Sequence, residues 1–149
     1  MNKMTLIMLL VAGACKSGDK VQAIKLDKLK LQMDARGDVK VEDGLGPNRV
    51  MVSQRHGLSI EVSLAELETT LEDEKASVSA IHQPTNVKTD TLPDGWAMTF
   101  EANDASGGKN YNVEVERKIG GKPYKCSSVV GNASDAEAGL AACKTLRPL

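Results

Sequence analysis

The sequence predicts an α+β domain over residues 24–149, with two helices packed on a mostly antiparallel sheet of about six strands. Three observations predict this fold class. Several short segments alternate apolar and polar residues, turn-forming residues join them as hairpins, and two further segments combine helical spacing with an N-terminal capping motif. The 149 residues, 41% hydrophobic and 26% charged, have the size and composition of one domain.

Three alternating segments, 28–33, 39–41 and 58–62, and one short apolar segment, 49–54, precede the first predicted helix. In the first of them, Leu29, Leu31 and Met33 share one face, which is the period of a half-buried strand. The last two segments are predicted to pair as a hairpin through Arg55-His56-Gly57. The tripeptide Arg36-Gly37-Asp38 matches an adhesion motif, but a glycine-centred turn between two strands explains it fully.

The first helix is predicted to begin at Ser63. The segment Ser63-Leu-Ala-Glu66 is a capping box, in which the Ser63 and Glu66 side chains each bond to the other residue's backbone amide. Leu64, Leu67 and Leu71 then lie on one face at helical spacing.

A second group of strands is predicted after a loop that contains proline and threonine. The turn Leu92-Pro-Asp-Gly95 leads into a strand on which Trp96, Met98, Phe100 and Ala102 share one face. Most of the scarce aromatic surface is therefore predicted to lie in the core. The following link and strand occupy 103–110 and 111–116.

The dipeptide Gly120-Gly121 predicts a two-residue hairpin turn and, with it, a strand register. Counting back from the turn predicts four cross-strand pairs: Glu116 with Lys125, Val115 with Cys126, Glu114 with Ser127, and Val113 with Ser128. In this register Cys126 points inward with the valines. Pro123 indicates that its strand is an edge strand or is unpaired at that point.

The last helix is predicted to begin at a second capping box, Ser134-Asp-Ala-Glu137, and to stop before Pro148. Its apolar stripe consists of Ala136, Leu140, Cys143 and Leu146. Cys143 is therefore predicted to face the sheet, while Cys126 faces the layer that covers the sheet. Ser134 also completes the glycosylation sequon Asn132-Ala-Ser134, but it is interpreted as the helix cap.

The first fifteen residues have the layout of a secretory signal, with a positive charge at Lys3, an apolar run and a small-residue cleavage site. The segment Val11-Ala12-Gly13-Ala14-Cys15 resembles the lipobox of bacterial lipoproteins. The resemblance implies a signal peptide over 1–14, cleavage before Cys15, diacylglycerol on the Cys15 sulfur, and acylation such as palmitate on the new amino group. Residues 15–23 then form the lipidated end and its tether. The alternative is an ordinary soluble secreted protein.

The lipobox also accounts for the odd number of cysteines. With the Cys15 sulfur lipidated, Cys126 and Cys143 remain, and such a pair is expected to oxidise outside the cytoplasm. That disulfide would close a loop of about 17 residues and stabilise the fold by about 3 kcal/mol.

Lys16 stands where inner-membrane lipoproteins commonly carry aspartate, so the resemblance implies release to the outer membrane. The five lysines of 16–30 are interpreted as a solvated tether and strand face, with contact to anionic headgroups as the alternative.

Composition and motifs narrow the function. Without Lys3, 18 basic residues (19 minus 1) face 20 acidic ones, and only 3% of residues are aromatic, so nucleic acid is not an expected partner. Catalytic motifs of serine hydrolases, zinc proteases, P-loop enzymes and thiol oxidoreductases are absent, and no cofactor is expected. We expect a lipid-anchored envelope protein with a non-enzymatic binding or scaffolding domain, whose partners are the membrane and an envelope protein.

Two alternatives involve the histidines. An envelope hydrolase would use His56 or His82 with a serine and an acid from distant parts of the chain. A metal site of His56, His82, Cys126 and Cys143 would lack zinc-like spacing. The order of elements is similar to that of Mog1/PsbP-like domains over a comparable length, which implies a binding or scaffolding module and no site residues.

Overall fold

The computed structural model describes residues 20–55 and 57–149. This part of the chain is α+β, with two α-helices and ten strands in two antiparallel sheets, so the strands outnumber the six predicted. The elements are β1 (Val21–Leu26), a 3-10 helix (Asp27–Leu29), β2 (Leu31–Arg36), β3 (Val39–Asp43), β4 (Arg49–Gln54), β5 (Ser59–Leu64), α1 (Leu71–His82), β6 (Thr85–Leu92), β7 (Gly95–Asn103), β8 (Lys109–Ile119), β9 (Lys122–Val130), α2 (Ala133–Lys144) and β10 (Arg147–Pro148).

The larger sheet separates two apolar layers. Its strand order is β3-β4-β5-β9-β8-β7-β6, and the small sheet has the order β1-β2-β10. One face of the larger sheet packs against α2 and the small sheet, where Met33, Val115 and Cys143 belong to one continuous core. The opposite face packs against α1 through a smaller cluster that includes Val78 and Trp96. The two helices therefore cover opposite faces.

Both predicted hairpins are confirmed. Strands β4 and β5 pair with Val52 opposite Ile60. All four predicted pairs between β8 and β9 are present, including Val115 opposite Cys126. The turn glycines Gly120 and Gly121 have φ of 58° and 78°, values that favour residues without a Cβ.

The start of the domain differs from the prediction. Strand β1 begins at Val21 and pairs with β2, so the predicted tether over 15–23 extends too far into the chain. Leu29 is buried, but it belongs to the 3-10 helix, and the strand begins at Leu31 because Lys30 adopts a left-handed φ of 58°. The strand then continues to Arg36, and the predicted turn narrows to Gly37, whose φ is 78°.

The predicted first helix at Ser63 is wrong. Ser63 and Leu64 remain in β5, where they pair with Lys125 and Tyr124 of β9. Tertiary strand pairing therefore overrides the local capping box. The helix begins at Leu71 instead, and its N-cap Thr70 accepts a hydrogen bond from the Asp73 amide at 3.1 Å.

Three smaller expectations also need correction. The threonine-containing loop forms the edge strand β6, whose side chains are exposed up to Thr91, so it lacks the apolar alternation that would have predicted it. The cap of α2 is Asn132, which accepts from the Asp135 amide at 2.9 Å, and Ser134 lies inside the first turn. For Pro123, the edge-strand alternative is wrong because β9 is an interior strand, whereas the alternative of an unpaired residue holds on the β5 side, where pairing ends at Tyr124.

A disulfide joins Cys126 on β9 to Cys143 on α2, as predicted, with 5.6 Å between the Cα atoms. Both cysteines are fully buried. The bridge fastens α2 to the centre of the larger sheet. Within 20–55 and 57–149, no helix has the length and apolar character needed to cross a membrane.

Candidate binding site

The domain has two distinct ends along its strands. At the start of β1, the Lys20 carbonyl accepts a hydrogen bond from the Gly37 amide at 3.0 Å. Just past the end of β1, the Lys28 ammonium donates to the Gly46 carbonyl, also at 3.0 Å. Since six residues of strand extend about 20 Å, the loop that contains Gly46 lies at the end opposite the entry of the chain. We call this the distal end.

An open cavity of about 510 Å³ lies at the distal end, between the loop before β4 and the loop after β5. A backbone hydrogen bond of 3.0 Å from the Leu64 amide to the Asn48 carbonyl joins the last residue of β5 to the loop before β4. We call this cavity the distal cavity, and its wall includes Leu45, Pro47, Arg49, Ser63, Leu67 and Lys125. Strand pairing therefore builds the back of the cavity and irregular loops build its rim.

Two leucines on the rim of the distal cavity are unusually exposed. Leu45 is 91% exposed and Leu67 is 80% exposed, the highest values among the large hydrophobic residues of the described chain. They come from separate loops but line the same concave surface. Exposed apolar side chains around one concavity are typical of surfaces that bind other proteins.

The basic residues in the wall are held by glutamates of the sheet and α1. The Arg49 guanidinium lies 3.3 Å from the Glu61 carboxylate, and the Lys125 ammonium lies 3.1 Å from that of Glu74. These ion pairs fix both long side chains. The cavity therefore offers apolar lips and a polar wall, which suits an apolar side chain presented on a polypeptide backbone.

Two further glutamates lie beside these ion pairs, on the face of β8 that α1 covers. Burial, together with the Glu74 carboxylate, raises the pKa of Glu114 to about 7, although the Lys125 ammonium opposes the shift. Burial also raises the pKa of Glu116, which is 3% exposed. Glu116 Oε1 accepts from the Thr69 amide at 2.8 Å, whereas its Oε2 is buried without a hydrogen-bond partner in the described chain.

A second concavity, of about 420 Å³, lies between α2 and strands β6–β8. Its lining includes Lys88, Tyr111, Glu137 and Leu140. The Glu101 carboxylate in its floor is paired with the Lys109 ammonium at 2.6 Å, and this bond holds the pKa of Glu101 below its usual value. This groove has no highly exposed leucine on its rim, so the distal cavity is the stronger candidate.

The predicted site residues fall in different places. Cys15 and His56 lie outside the described residues. Cys126 and Cys143 are bonded to each other, so the alternative metal site loses both of its thiolate ligands. Across 20–55 and 57–149, no group of three or more histidine, cysteine or acidic side chains is arranged to hold a metal. His82 ends α1, with its ring centroid 5.9 Å from that of Phe100.

Sequence reasoning missed the two rim leucines. The helical spacing places Leu67 on the apolar face of a predicted helix, and Leu45 lies between two predicted strands, in a segment that contains Gly44, Gly46 and Pro47. A leucine isolated among glycine and proline residues was a usable signal, because such loops are solvated. No protein-family model matches the sequence, and no curated protein matches it significantly.

Proposed function

We propose that the chain is a lipid-anchored bacterial envelope protein whose domain is a non-enzymatic module that binds another envelope protein at the distal cavity. The observation that carries the binding proposal is the exposure of Leu45 and Leu67 on the two lips of that cavity. Leaving two leucines in water is unfavourable, since burying such a side chain contributes about 1.5–3 kcal/mol.

The lipobox that ends at Cys15 supports the anchor. The chain from Cys15 to Lys20 is six residues long and spans at most about 20 Å, so the entry end of the domain stays close to the bilayer. The distal cavity would then face away from the membrane that holds the anchor. That orientation favours a protein partner over a lipid one.

The expected contact is an apolar side chain inserted between Leu45 and Leu67. Asn48 and Ser63 border the same surface and supply polar groups for the backbone of the partner. In such interfaces a few buried anchors dominate, and truncating one typically costs more than about 1–2 kcal/mol of binding free energy. The Mog1/PsbP-like arrangement, if shared, is compatible with such a binding role.

Site-specific photo-crosslinking in intact cells tests the binding site. A photoreactive amino acid replaces Leu45, Leu67 or, as the control, Ile81, which is 70% exposed on α1 and is not part of the cavity wall. We expect the same discrete adduct from positions 45 and 67 and none from position 81. A Leu67→Ser change should abolish the adduct formed at position 45. Equal adducts from all three positions, or none from the cavity, would contradict the proposed site.

Cys15→Ala tests the anchor independently of the binding site. The variant should accumulate as an unlipidated precursor and fractionate differently from the wild type. If it matures and fractionates like the wild type, the lipoprotein proposal is wrong. For the wild type, density-gradient separation should recover the protein with the outer membrane because Lys16 follows the anchor cysteine. Recovery with inner-membrane markers would contradict the sorting proposal alone.

A further inference from the structure

Helix α1 covers its face of the larger sheet thinly. Val78 is its one buried residue and Leu71 is partly buried, and both pack on the cluster formed by Trp96, Met98, Phe100 and Ala102. Ile81, also on α1, is 70% exposed. The helix therefore contributes little apolar area to its own attachment, and its polar contacts carry correspondingly more weight.

Four glutamates converge beside this apolar contact: Glu61 on β5, Glu74 on α1, and Glu114 and Glu116 on β8. Strand register places Glu116 opposite both Trp96 and Lys125, and Glu114 opposite Met98. Ser127 separates Glu114 from Glu61 across the sheet. Four carboxyl groups thus share one region with the ammonium of Lys125, and we call them the glutamate cluster.

Other charged groups around α1 are paired or lie further out. Glu68, on the loop before α1, is bonded to Lys118 at 2.8 Å, and Glu72 pairs with Lys75 on the outer face of the helix at 2.9 Å. Arg49 holds Glu61 at 3.3 Å. The remaining charged or titratable residues of α1 are Asp73, which is bonded to Thr70, and His82, which lies against Phe100. None of these bonds neutralises Glu114 or Glu116.

Ionising both β8 glutamates is unfavourable while α1 is in place. Each would be a negative charge in a region of low dielectric constant. Glu114 lies near the carboxylate of Glu74 and Glu116 near that of Glu68, while Lys125 is already bonded to Glu74. The buried Oε2 of Glu116, which has no partner within the described residues, would lose the most by becoming charged. Lifting α1 would admit water to both groups and remove Glu74 from their vicinity.

We propose that α1, with the preceding loop 65–70, is a pH-dependent lid that is closed over the Trp96 face while Glu114 and Glu116 are protonated and opens as they ionise. This proposal is argued from these contacts and needs neither the lipid anchor nor a partner at the distal cavity, although loop 65–70 carries Leu67 of the wall of that cavity. Opening would expose Trp96, Met98 and Phe100, an apolar surface on the opposite side of the sheet from the disulfide.

The direction of the pH dependence follows from the raised pKa values. Burial raises the pKa of Glu114 to about 7, from 4.5, and also raises the pKa of Glu116. A carboxyl group whose pKa is raised in the closed state stabilises that state fully at low pH, and the contribution is lost as the pH rises through the raised value. The lid is therefore closed near pH 4.5, loses this stabilisation as the pH rises from about 4.5 to about 7, and is open above that interval.

Trp96, the single tryptophan of the chain, reports directly on the lid. Its indole N–H donates to the Thr69 carbonyl at 2.7 Å, so opening breaks this bond and exposes the ring. In the full-length protein, we expect the quenching of Trp96 fluorescence by acrylamide to increase as the pH rises from 5 and to level off above about pH 7, in a series measured up to pH 8.5. Far-UV circular dichroism should show that the sheet is retained.

Matched variants separate the glutamates from other groups. Glu114→Gln with Glu116→Gln should remove the transition, whereas His82→Gln and Glu137→Gln should retain it. Because the double variant removes two buried carboxyl groups at once, Glu114→Gln alone is measured as well and should lower the amplitude. A wild type without a transition would overturn the proposal, and so would a transition that persists unchanged in Glu114→Gln or in the double variant of Glu114 and Glu116. So would its loss in His82→Gln.

Discussion

The two faces of the larger sheet are built very differently, although the same strands form both. The face toward α2 belongs to a core of twenty buried apolar residues that includes the disulfide, whereas the face toward α1 belongs to a cluster of five. On β8, Val113 and Val115 point to the first face, and Glu114 and Glu116 to the second. One face therefore holds the fold together, while the other is free to respond to pH.

The largest expected effect on the free energy of unfolding comes from replacing one buried methionine on each face of the larger sheet by alanine. Met33 is 0% exposed in the core beside α2, and Met98 is 1% exposed beneath α1. Methionine to alanine changes in a core cost about 2–5 kcal/mol, and the cost is highest where the surroundings cannot relax. We expect Met33→Ala to fall in the upper half of this range and Met98→Ala in the lower half, measured by urea unfolding. The reverse order would contradict the comparison.

The disulfide is expected to have the next largest effect, confined to the α2 side. Replacing Cys126 and Cys143 by alanine should lower the free energy of unfolding by about 3 kcal/mol for a loop of 17 residues. The pH response of Trp96 fluorescence should remain, since the bridge lies on the other face. Peptide mapping without reduction should first recover the two cysteines joined, and two free thiols in protein from the envelope would refute the bridge.

Glu114→Gln should change the free energy of unfolding at high pH but not at low pH. The pKa of Glu114 is raised from 4.5 to about 7, and each pKa unit corresponds to about 1.36 kcal/mol. The variant should therefore be more stable than the wild type at pH 8.5, by at most about 3 kcal/mol, and nearly equal to it at pH 4. Chemical unfolding at both pH values measures this, and a uniform difference would show that ionisation is not the cause.

The smallest expected effect concerns the exposed attachment of the lid loop. Lys118 bonds to Glu68 at 2.8 Å, but both side chains are half exposed. Exposed ion pairs contribute about 0–1 kcal/mol, so Lys118→Ala should hardly change the free energy of unfolding. It should also leave the midpoint of the Trp96 transition in place. A decrease in the free energy of unfolding of more than about 1 kcal/mol would mean that the surface ion pair, rather than the contacts beneath the loop, holds the loop in place.

Local sequence patterns predicted the elements whose register is set by neighbouring residues. The two glycines of Gly120-Gly121 determined the β8–β9 pairing, and alternation identified the buried face of Trp96, Met98 and Phe100. The same patterns placed Cys126 and Cys143 on facing surfaces. These features need no knowledge of distant parts of the chain.

Patterns failed where distant contacts decide the structure. Ser63 starts a good capping box, yet pairing with Lys125 of β9 keeps it in a strand. Strand β6 carries no apolar alternation because it is a solvent-exposed edge. The candidate site was missed for the same reason, since Leu45 and Leu67 line one surface only after the β3–β4 loop and the β5–α1 loop come together. The predicted hairpin register places Glu114 and Glu116 on the face opposite Cys126, but nothing local predicts that α1 covers them.

Hydrogen exchange at two pH values tests the difference between the faces most directly. After correction for the intrinsic pH dependence of exchange, protection of α1 amides should fall by about tenfold or more between pH 5 and pH 8.5, because the raised pKa of Glu114 lies within that interval. Protection of α2 amides, on the helix that carries Cys143, should change little over the same interval. Equal losses from both helices, or no loss from α1, would contradict the account.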